Sequence, residues 1–395
     1  MKELTLTLFL LALFGCSGAP VTGGGANTTG AAGVPSPRLS AADVKAILAS
    51  GATGEQLKFR DLSGLDLSHI DFLGADLTGT TLSGANLTGV NLSNANLTGA
   101  MLRGATLDNA NLHKAKLDNS DLRGASLKQT ELTSTSFKSA NLEQAVLERA
   151  MLRNAKFNNA NLARITIRDS MLIDVDMTSA DLTAATIVHV YGLRVNLRGA
   201  NLEKAEISQT RLPGANLTGA RLVRANIEDC ELAGMVLVDA NAVEVNFSKS
   251  NLSQAILRGA DFSGARLTGS LLDGANMTDT KFREANLAGA SLQDASLQHA
   301  DFSRAVLVGA TLSKSDLSSA DLRVSVFRQA IMRNVILRDT LLNSAELREV
   351  DLSGADFDHA DIENADFYGA ILKGARNLDT VRGRSSARNL DAPNP

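Results

Sequence analysis

Apolar and polar residues follow a five-residue period over most of the chain. From Leu57 to Leu372, every residue whose number ends in 2 or 7 is Leu, Ile, Met or Phe, except Gly192 and Ala242. Two positions before each of these residues the chain carries mostly Ala, with Ser, Thr and Val as the main substitutes. No insertion interrupts the pattern. Neither an α-helix of 3.6 residues per turn nor a strand of period two can keep such a pattern on one side.

A coil with four sides satisfies this period. Each side holds one five-residue unit and turns one small and one large apolar residue inward. Stacked coils can pair their backbones at strand spacing, so about 16 coils of twenty residues would extend roughly 77 Å. We therefore predict an all-β, parallel solenoid over residues 55–375. Phe262, Phe282 and Phe302 are twenty residues apart and should stack inside one corner.

The repeated unit also resembles a known family. Residues 85–89 and 215–219 both read Ala-Asn-Leu-Thr-Gly, which resembles the A(D/N)LXX motif of the pentapeptide-repeat family. The resemblance extends over residues 55–375 and implies a right-handed quadrilateral parallel β-helix. Solenoids of this kind need their open ends covered.

A short helix is predicted ahead of the repeats, within residues 38–54. Ser40 and Asp43 have the spacing of a capping box. Val44, Ile47 and Leu48 form an apolar stripe, and Gly51 can end the helix. Such a helix could cover the N-terminal end of the solenoid.

The first residues indicate export. Leu4 to Phe14 is an apolar run that is too short to span a membrane but suits a signal peptide over residues 1–15. The segment Leu-Phe-Gly-Cys ending at Cys16 resembles the bacterial lipobox, in which the cysteine is lipidated and becomes the N-terminus. A plain secretory signal with an incidental cysteine is the alternative. Residues 16–37, rich in Gly, Ala, Thr and Pro, predict a flexible tether.

The other end of the chain lacks the repeat. Residues 376–395 are polar and are predicted to form a disordered tail. The C-terminal end of the solenoid would then be exposed, covered by this tail, or available for self-association.

Composition limits the function classes. Lys and Arg total 39 and Asp and Glu 43, a formal net charge of −4, which gives no electrostatic reason to bind nucleic acid. His299 and His359 lie on one predicted side, but three coils, roughly 14 Å, apart, too far to share a metal. Cys230 takes a small inward position and is expected to be a buried apolar residue rather than a nucleophile. We therefore expect neither an enzyme nor a cofactor.

One irregular region is a candidate partner surface. Five apolar residues on one side of three successive coils occupy positions that should face outward: Met151, Met171, Ile173, Tyr191 and Leu193. A contiguous exposed apolar patch can mark an interface. The interpretation favoured from the sequence is a local bulge that turns Tyr191 or Leu193 inward to fill the space left by Gly192. Val236, Val238 and Ile256 form a second, smaller group.

The favoured function is a non-enzymatic, lipid-anchored structural or protein-interaction scaffold of the bacterial cell envelope. It would contact the membrane through Cys16 and an unknown protein through a side or an end of the solenoid. One alternative is an exported effector or carrier. Another is suggested by the family resemblance, because some members imitate DNA and bind type II topoisomerase, but the mixed surface charges predicted here do not favour it.

Overall fold

The described part of the protein is a parallel β-solenoid preceded by a short helix. The computed structural model describes residues 38–51 and 55–390. Helix α1 (Ala41–Ala49) and a 3-10 turn (Glu55–Leu57) come first. The stretches that pair continuously are β1 (Val146–Glu148), β2 (Thr166–Arg168), β3 (Met171–Ile173), β4 (Thr186–Val188), β5 (Tyr191–Leu193), β6 (Glu206–Ser208) and β7 (Asn226–Glu228).

Each residue of a strand pairs with the residue twenty positions later. One parallel sheet has the order β1-β2-β4-β6-β7, and β3 pairs with β5 in a second sheet. Val146 lies opposite Thr166, for example, and Met171 lies opposite Tyr191. Single parallel bridges continue the same spacing along the rest of the solenoid, from Asp61 with Thr81 onward. The predicted twenty-residue coil is confirmed.

The unit around Asn86 shows why five residues make one side. Asn86 N donates to Leu65 O at 2.9 Å, and the next amide, Leu87 N, donates to Thr106 O at 2.7 Å. Each unit is thus bonded to the coil before it and the coil after it. The Asn86 side chain accepts from Thr88 N at 3.1 Å, which closes a local turn. Gly89 then takes a left-handed φ of 65°, a conformation that glycine adopts without strain.

The core contains the two inward residues of each unit. Ala85 and Leu87 are 1% and 0% exposed, and the same classes of residue are buried along the solenoid. The predicted phenylalanine stack is confirmed. Ring centroids lie 5.4 Å apart between Phe262 and Phe282, and 4.8 Å apart between Phe282 and Phe302.

Helix α1 has the predicted cap and packs on the core. Ser40 Oγ accepts from Asp43 N at 3.2 Å, and Ser40 N donates to the Asp43 carboxylate at 2.8 Å. Val44 is fully buried, and Ile47 and Leu48 are partly buried against the core. Among residues 38–51 and 55–390, no helix has the length and apolar character needed to cross a bilayer.

The C-terminal segment differs from the disordered tail predicted for residues 376–395. Residues 376–390 continue the pairing, with Arg376 opposite Asp356, Arg382 opposite Asp361 and Arg388 opposite Asp366. The last two pairs exceed the twenty-residue spacing by one and two residues. Side chains at irregular spacing pack on the core here: Leu378, Val381, Ala387 and Leu390. The five-residue pattern stops at residue 375, so periodicity gave no sign of this coil.

Candidate functional site

Met151, Met171 and Tyr191 form an apolar stripe on one side of the solenoid. Met151 is bridged to Met171, and Met171 is paired with Tyr191. The three side chains are 50%, 43% and 41% exposed. Neighbouring strands lie about 4.8 Å apart, so the three residues make one continuous surface across successive coils.

The other two residues of the predicted patch border this stripe. Ile173 and Leu193 lie opposite each other in β3 and β5, two positions after Met171 and Tyr191. Both are half-buried. The structure therefore brings all five predicted residues onto one side, with the exposed area concentrated in Met151, Met171 and Tyr191.

The bulge considered at Gly192 is not present. Tyr191 pairs with Met171 before it and Arg211 after it, so the twenty-residue register passes through without an extra residue. Neighbouring core side chains fill the position instead. A Cβ placed on Gly192 would lie 2.4 Å from Leu212 Cδ2 and 2.8 Å from Val195 Cγ2. Neither Tyr191 nor Leu193 has to turn inward.

Charged groups border the stripe. On the same ladder Glu131 precedes Met151 and Arg211 follows Tyr191. Beside the stripe, the Arg194 guanidinium donates to both carboxylate oxygens of Asp174, at 2.5 and 2.8 Å, and this bond lowers the pKa of Asp174. An apolar centre with a polar rim is the usual anatomy of a protein–protein contact area.

The neighbouring side carries a histidine with two partners. His189 Nε2 lies 2.6 Å from Gln209 Oε1, and its Nδ1 lies 3.4 Å from Asp169 Oδ1. Across residues 38–51 and 55–390, no group of three or more His, Cys, Asp or Glu side chains is arranged to hold a metal.

The second apolar group is smaller and less exposed. Val236 is bridged to Ile256, which is 42% exposed, while Val236 and Val238 are half-buried. Ala242 is fully buried. This group provides a shorter apolar surface than the Tyr191 stripe.

Cys230 is inside the solenoid, as predicted, and is 3% exposed. Burial is the main reason that the pKa of its thiol rises to about 11. Cys16 and the predicted signal peptide and tether lie outside the described residues.

Ladders of acidic and amide side chains are a feature that sequence reasoning missed. Asn86 Nδ2 donates to Asp66 Oδ1 at 2.9 Å, one coil earlier, and Asn91 Nδ2 donates to Asp71 Oδ1 at 2.8 Å. At these positions the Asp or Asn before the large inward residue therefore joins coils as well as closing a turn. The twenty-residue spacing of these types was visible in the sequence.

Comparison with known proteins identifies the same five-residue repeat. The profile described as pentapeptide repeats matches residues 61–169 and 194–374 in successive copies. The interval between residues 169 and 194 contains Met171 and Tyr191, so part of the stripe lies where the repeat departs from the profile. Among curated proteins, none matches the chain significantly.

Solved structures with related repeats come from different organisms. HetL, a pentapeptide-repeat protein involved in regulation of heterocyst differentiation in the cyanobacterium Nostoc sp., is 25% identical and has a TM-score of 0.20. The match covers 85% of this chain and 94% of HetL. A pentapeptide-repeat protein of the Arabidopsis thaliana thylakoid lumen is 31% identical, with a TM-score of 0.20, over 27% of this chain and 71% of that one.

A third solved structure is QnrB1, a plasmid-mediated fluoroquinolone resistance protein. It is 16% identical, with a TM-score of 0.30, over 47% of this chain and 92% of QnrB1. The family is established by the repeat profile, which matches most residues between 61 and 374. The chain belongs to the pentapeptide-repeat family.

Proposed function

We propose that the protein is a lipid-anchored, non-enzymatic scaffold of the bacterial cell envelope that binds a protein partner through the stripe formed by Met151, Met171 and Tyr191. The observation that carries the partner site is the exposure of these three side chains on consecutive coils. Backbone pairing fixes the positions of the three residues relative to one another before a partner binds, so the backbone of the stripe is preorganised.

The lipid anchor rests on the sequence around Cys16. The apolar run from Leu4 to Phe14 and the small Gly15 before Cys16 suit lipoprotein processing. A tether over residues 16–37 would separate the solenoid from the bilayer. Ser17 after the cysteine resembles the sorting signal of lipoproteins that reach the outer membrane in Gram-negative bacteria.

The charges on the sides support a protein partner rather than imitation of DNA. Acidic groups are paired with basic ones, as in Glu203 with Arg221 at 3.0 Å and Asp351 with Arg333 at 2.5 Å. A surface on which signs alternate lacks the single-sign field of a nucleic-acid backbone. This observation favours the scaffold over a topoisomerase-binding DNA mimic.

Crosslinking in cells tests the partner surface. A photoreactive residue at position 191 should capture a partner, and one at position 271 is the matched control. Leu271 is on the same ladder as Tyr191 and is 45% exposed, but lies outside the stripe. Equal capture at both positions would count against the site. Tyr191→Ala with Leu193→Asp should also abolish co-purification of the captured protein while the protein stays folded.

Metabolic labelling tests the anchor. Wild type should incorporate a fatty-acid analogue and sediment with membranes, and Cys16→Ala should lose both properties. Cys230→Ala is the control and should keep them, because its thiol is buried. An unlabelled wild type that is secreted into the medium would favour the exported effector. An unlabelled protein retained in the cytoplasm would favour the DNA mimic.

A further inference from the structure

Two buried carboxylates hold the irregular C-terminal coil, and the first is Asp356. This residue is 1% exposed. Its Oδ2 accepts from Arg338 Nη2 at 2.8 Å, and its Oδ1 accepts from Asn377 Nδ2 at 2.7 Å. Arg338 belongs to the preceding coil and Asn377 to the irregular one. The carboxylate therefore joins the last regular coils to residues 376–390.

The second carboxylate, Asp366, repeats this arrangement. It is 2% exposed and accepts from Arg348 Nε and from Asn389 Nδ2, both at 2.8 Å. In both places an Arg lies eighteen residues before the Asp, and an Arg-Asn pair follows from the irregular coil. The second arginines, Arg376 and Arg388, come within 3.7 and 3.9 Å of the same two carboxylates.

A third Asp shows which part of the arrangement is specific to the end. Asp351 also pairs with an Arg eighteen residues earlier, Arg333, at 2.5 Å. The next coil places Ile371 opposite it instead of an Arg-Asn pair. The bonds from Asn377 and Asn389 are therefore the part of the arrangement that is specific to residues 376–390. Thr380 and Ser386 add two more side-chain bonds, accepting from His359 N at 3.1 Å and from Asn364 N at 3.2 Å.

The segment covers the edge of the last regular coil. Ile362 N donates to Arg382 O at 3.0 Å, and Phe367 N donates to Arg388 O at 2.9 Å. Leu378 and Val381 pack against the core. Without this segment, unpaired backbone groups and apolar side chains would face solvent together, and such an edge is a template for pairing with another chain.

We propose that residues 376–390 are a cap. The hydrogen bonds of Asp356 and Asp366 to Asn377 and Asn389, which we call the latches, hold it in place. The cap prevents the end of the solenoid from pairing with a second copy of the chain. The uncovered end would carry Arg338 and Arg348 beside these two carboxylates, so the two sites together present two groups of each sign. When a second copy faces the first across a twofold axis, each carboxylate of one copy can pair with a guanidinium group of the other.

The inferred contact closes after two copies. Helix α1 packs on the core at the other end of the repeats, where Val44 is fully buried. Opening the cap therefore exposes a surface at the C-terminal end, and the contact between two copies joins their C-terminal ends. A contact that uses the same surface on both copies gives a closed dimer rather than a filament.

The test uses the full processed chain with Asn377→Gly and Asn389→Gly. Both residues have left-handed φ angles, 59° and 62°, which glycine accepts, so the substitutions remove the side-chain bonds without adding strain. Hydrogen exchange of residues 376–390 should accelerate about tenfold or more, with no change around residues 260–330. Light scattering should show the mass of a dimer at a concentration where wild type is a monomer.

A second variant and a control complete the experiment. Asp356→Asn with Asp366→Asn removes the charge from both latches and should give the same two changes. Asp351→Asn loses an equivalent Arg pair outside the cap and should give neither change. Unchanged exchange of residues 376–390 in both latch variants would overturn the latches. A cap that opens while the mass stays monomeric, or a wild type that is already dimeric, would overturn its role against self-association.

Discussion

Leu212 fills the core volume next to Gly192, one coil away: a Cβ on Gly192 would lie 2.4 Å from Leu212 Cδ2. Gly192 stands where almost every other coil side has a large apolar residue. Neighbouring core side chains occupy the space beside this glycine, and Tyr191 and Leu193 keep their positions on the surface. The apolar stripe is thus compatible with a continuous core beneath it.

Restoring the repeat residue at this position should therefore destabilise the protein. Gly192→Leu forces a side chain into occupied space and should lower the free energy of unfolding by about 1–3 kcal/mol. Urea unfolding followed by circular dichroism measures the change. Adding Leu212→Ala to the variant should recover part of the loss, because it vacates the same space. A Gly192→Leu variant as stable as wild type would contradict the inference that Leu212 fills the space beside Gly192.

A charge at a regular inward position should have a larger effect. Leu217 is 2% exposed, and Leu217→Lys would bury an unpaired ammonium group, which costs several kcal/mol. We expect loss of the native circular dichroism signal or a much lower melting temperature. Thr218→Lys, one position along and facing outward, is the control and should melt close to wild type. Similar melting of both variants would argue against the assigned register.

The cap should make part of the free energy of unfolding depend on pH in the acid range. Burial of Asp356 and of Asp366 opposes ionisation. The hydrogen bonds from Asn377 and Arg338, and from Asn389 and Arg348, outweigh it, and each pKa lies below its ordinary value of 3.8. A carboxylate with a lowered native pKa stabilises fully above its unfolded pKa and loses that contribution as pH falls through the native pKa.

The measurement is the hydrogen-exchange protection of residues 376–390 as the pH is lowered below 3.8. Arg338, Arg376, Asp358 and Asp316 are charged groups around the Asp356 pair. Arg348, Arg388, Glu346 and Tyr368 are titratable groups around the Asp366 pair. The same bonds raise the pKa of Arg338 and of Arg348, so these two guanidinium groups keep their charge in this range. Comparison with the Asp356→Asn, Asp366→Asn variant separates the contribution of these two carboxylates from that of the other acidic groups. Wild type should lose protection of residues 376–390 on acidification. The Asp356→Asn, Asp366→Asn variant should be poorly protected at every pH, and an equally steep acid transition in it would contradict this assignment.

Cys230 offers a probe of the solenoid as a whole. Because burial raises the pKa of its thiol to about 11, the group should stay protonated and inaccessible at neutral pH. In a Cys16→Ala background, a thiol reagent should label nothing in the native protein and one thiol per chain in urea. Labelling without denaturant at a rate close to that of a free thiol would show that the coils around residue 230 open readily.

The repeated part of the fold could be predicted because each side of a coil repeats the same pattern of one small and one large apolar residue. The large inward residues from Leu57 to Phe367 are buried as the period requires, and the Ser40–Asp43 capping box forms at the start of the helix. The stripe of Met151, Met171 and Tyr191 could also be located, since a twenty-residue coil places them on one ladder.

The cap could not be predicted from the period. Asp356 and Asp366 look like ordinary members of the Asp or Asn position, and only the three-dimensional arrangement brings Asn377 and Asn389 to them. The filling of space near Gly192 was also missed, because it depends on how Leu212 and Val195 are placed rather than on which residues they are.

The constant spacing between bridged residues limits how the length of this protein can change. Within the regular repeats, an insertion or deletion that is not a multiple of five and is not looped out would move later core residues off their inward positions. A multiple of five that is not a multiple of twenty would keep the core but move every later ladder to another side, breaking pairs such as Met171 with Tyr191. Only the gain or loss of whole coils preserves both. The separation between the apolar stripe and the cap can therefore vary only in steps of one coil, about 4.8 Å each, with the stripe always facing the same way relative to the latches.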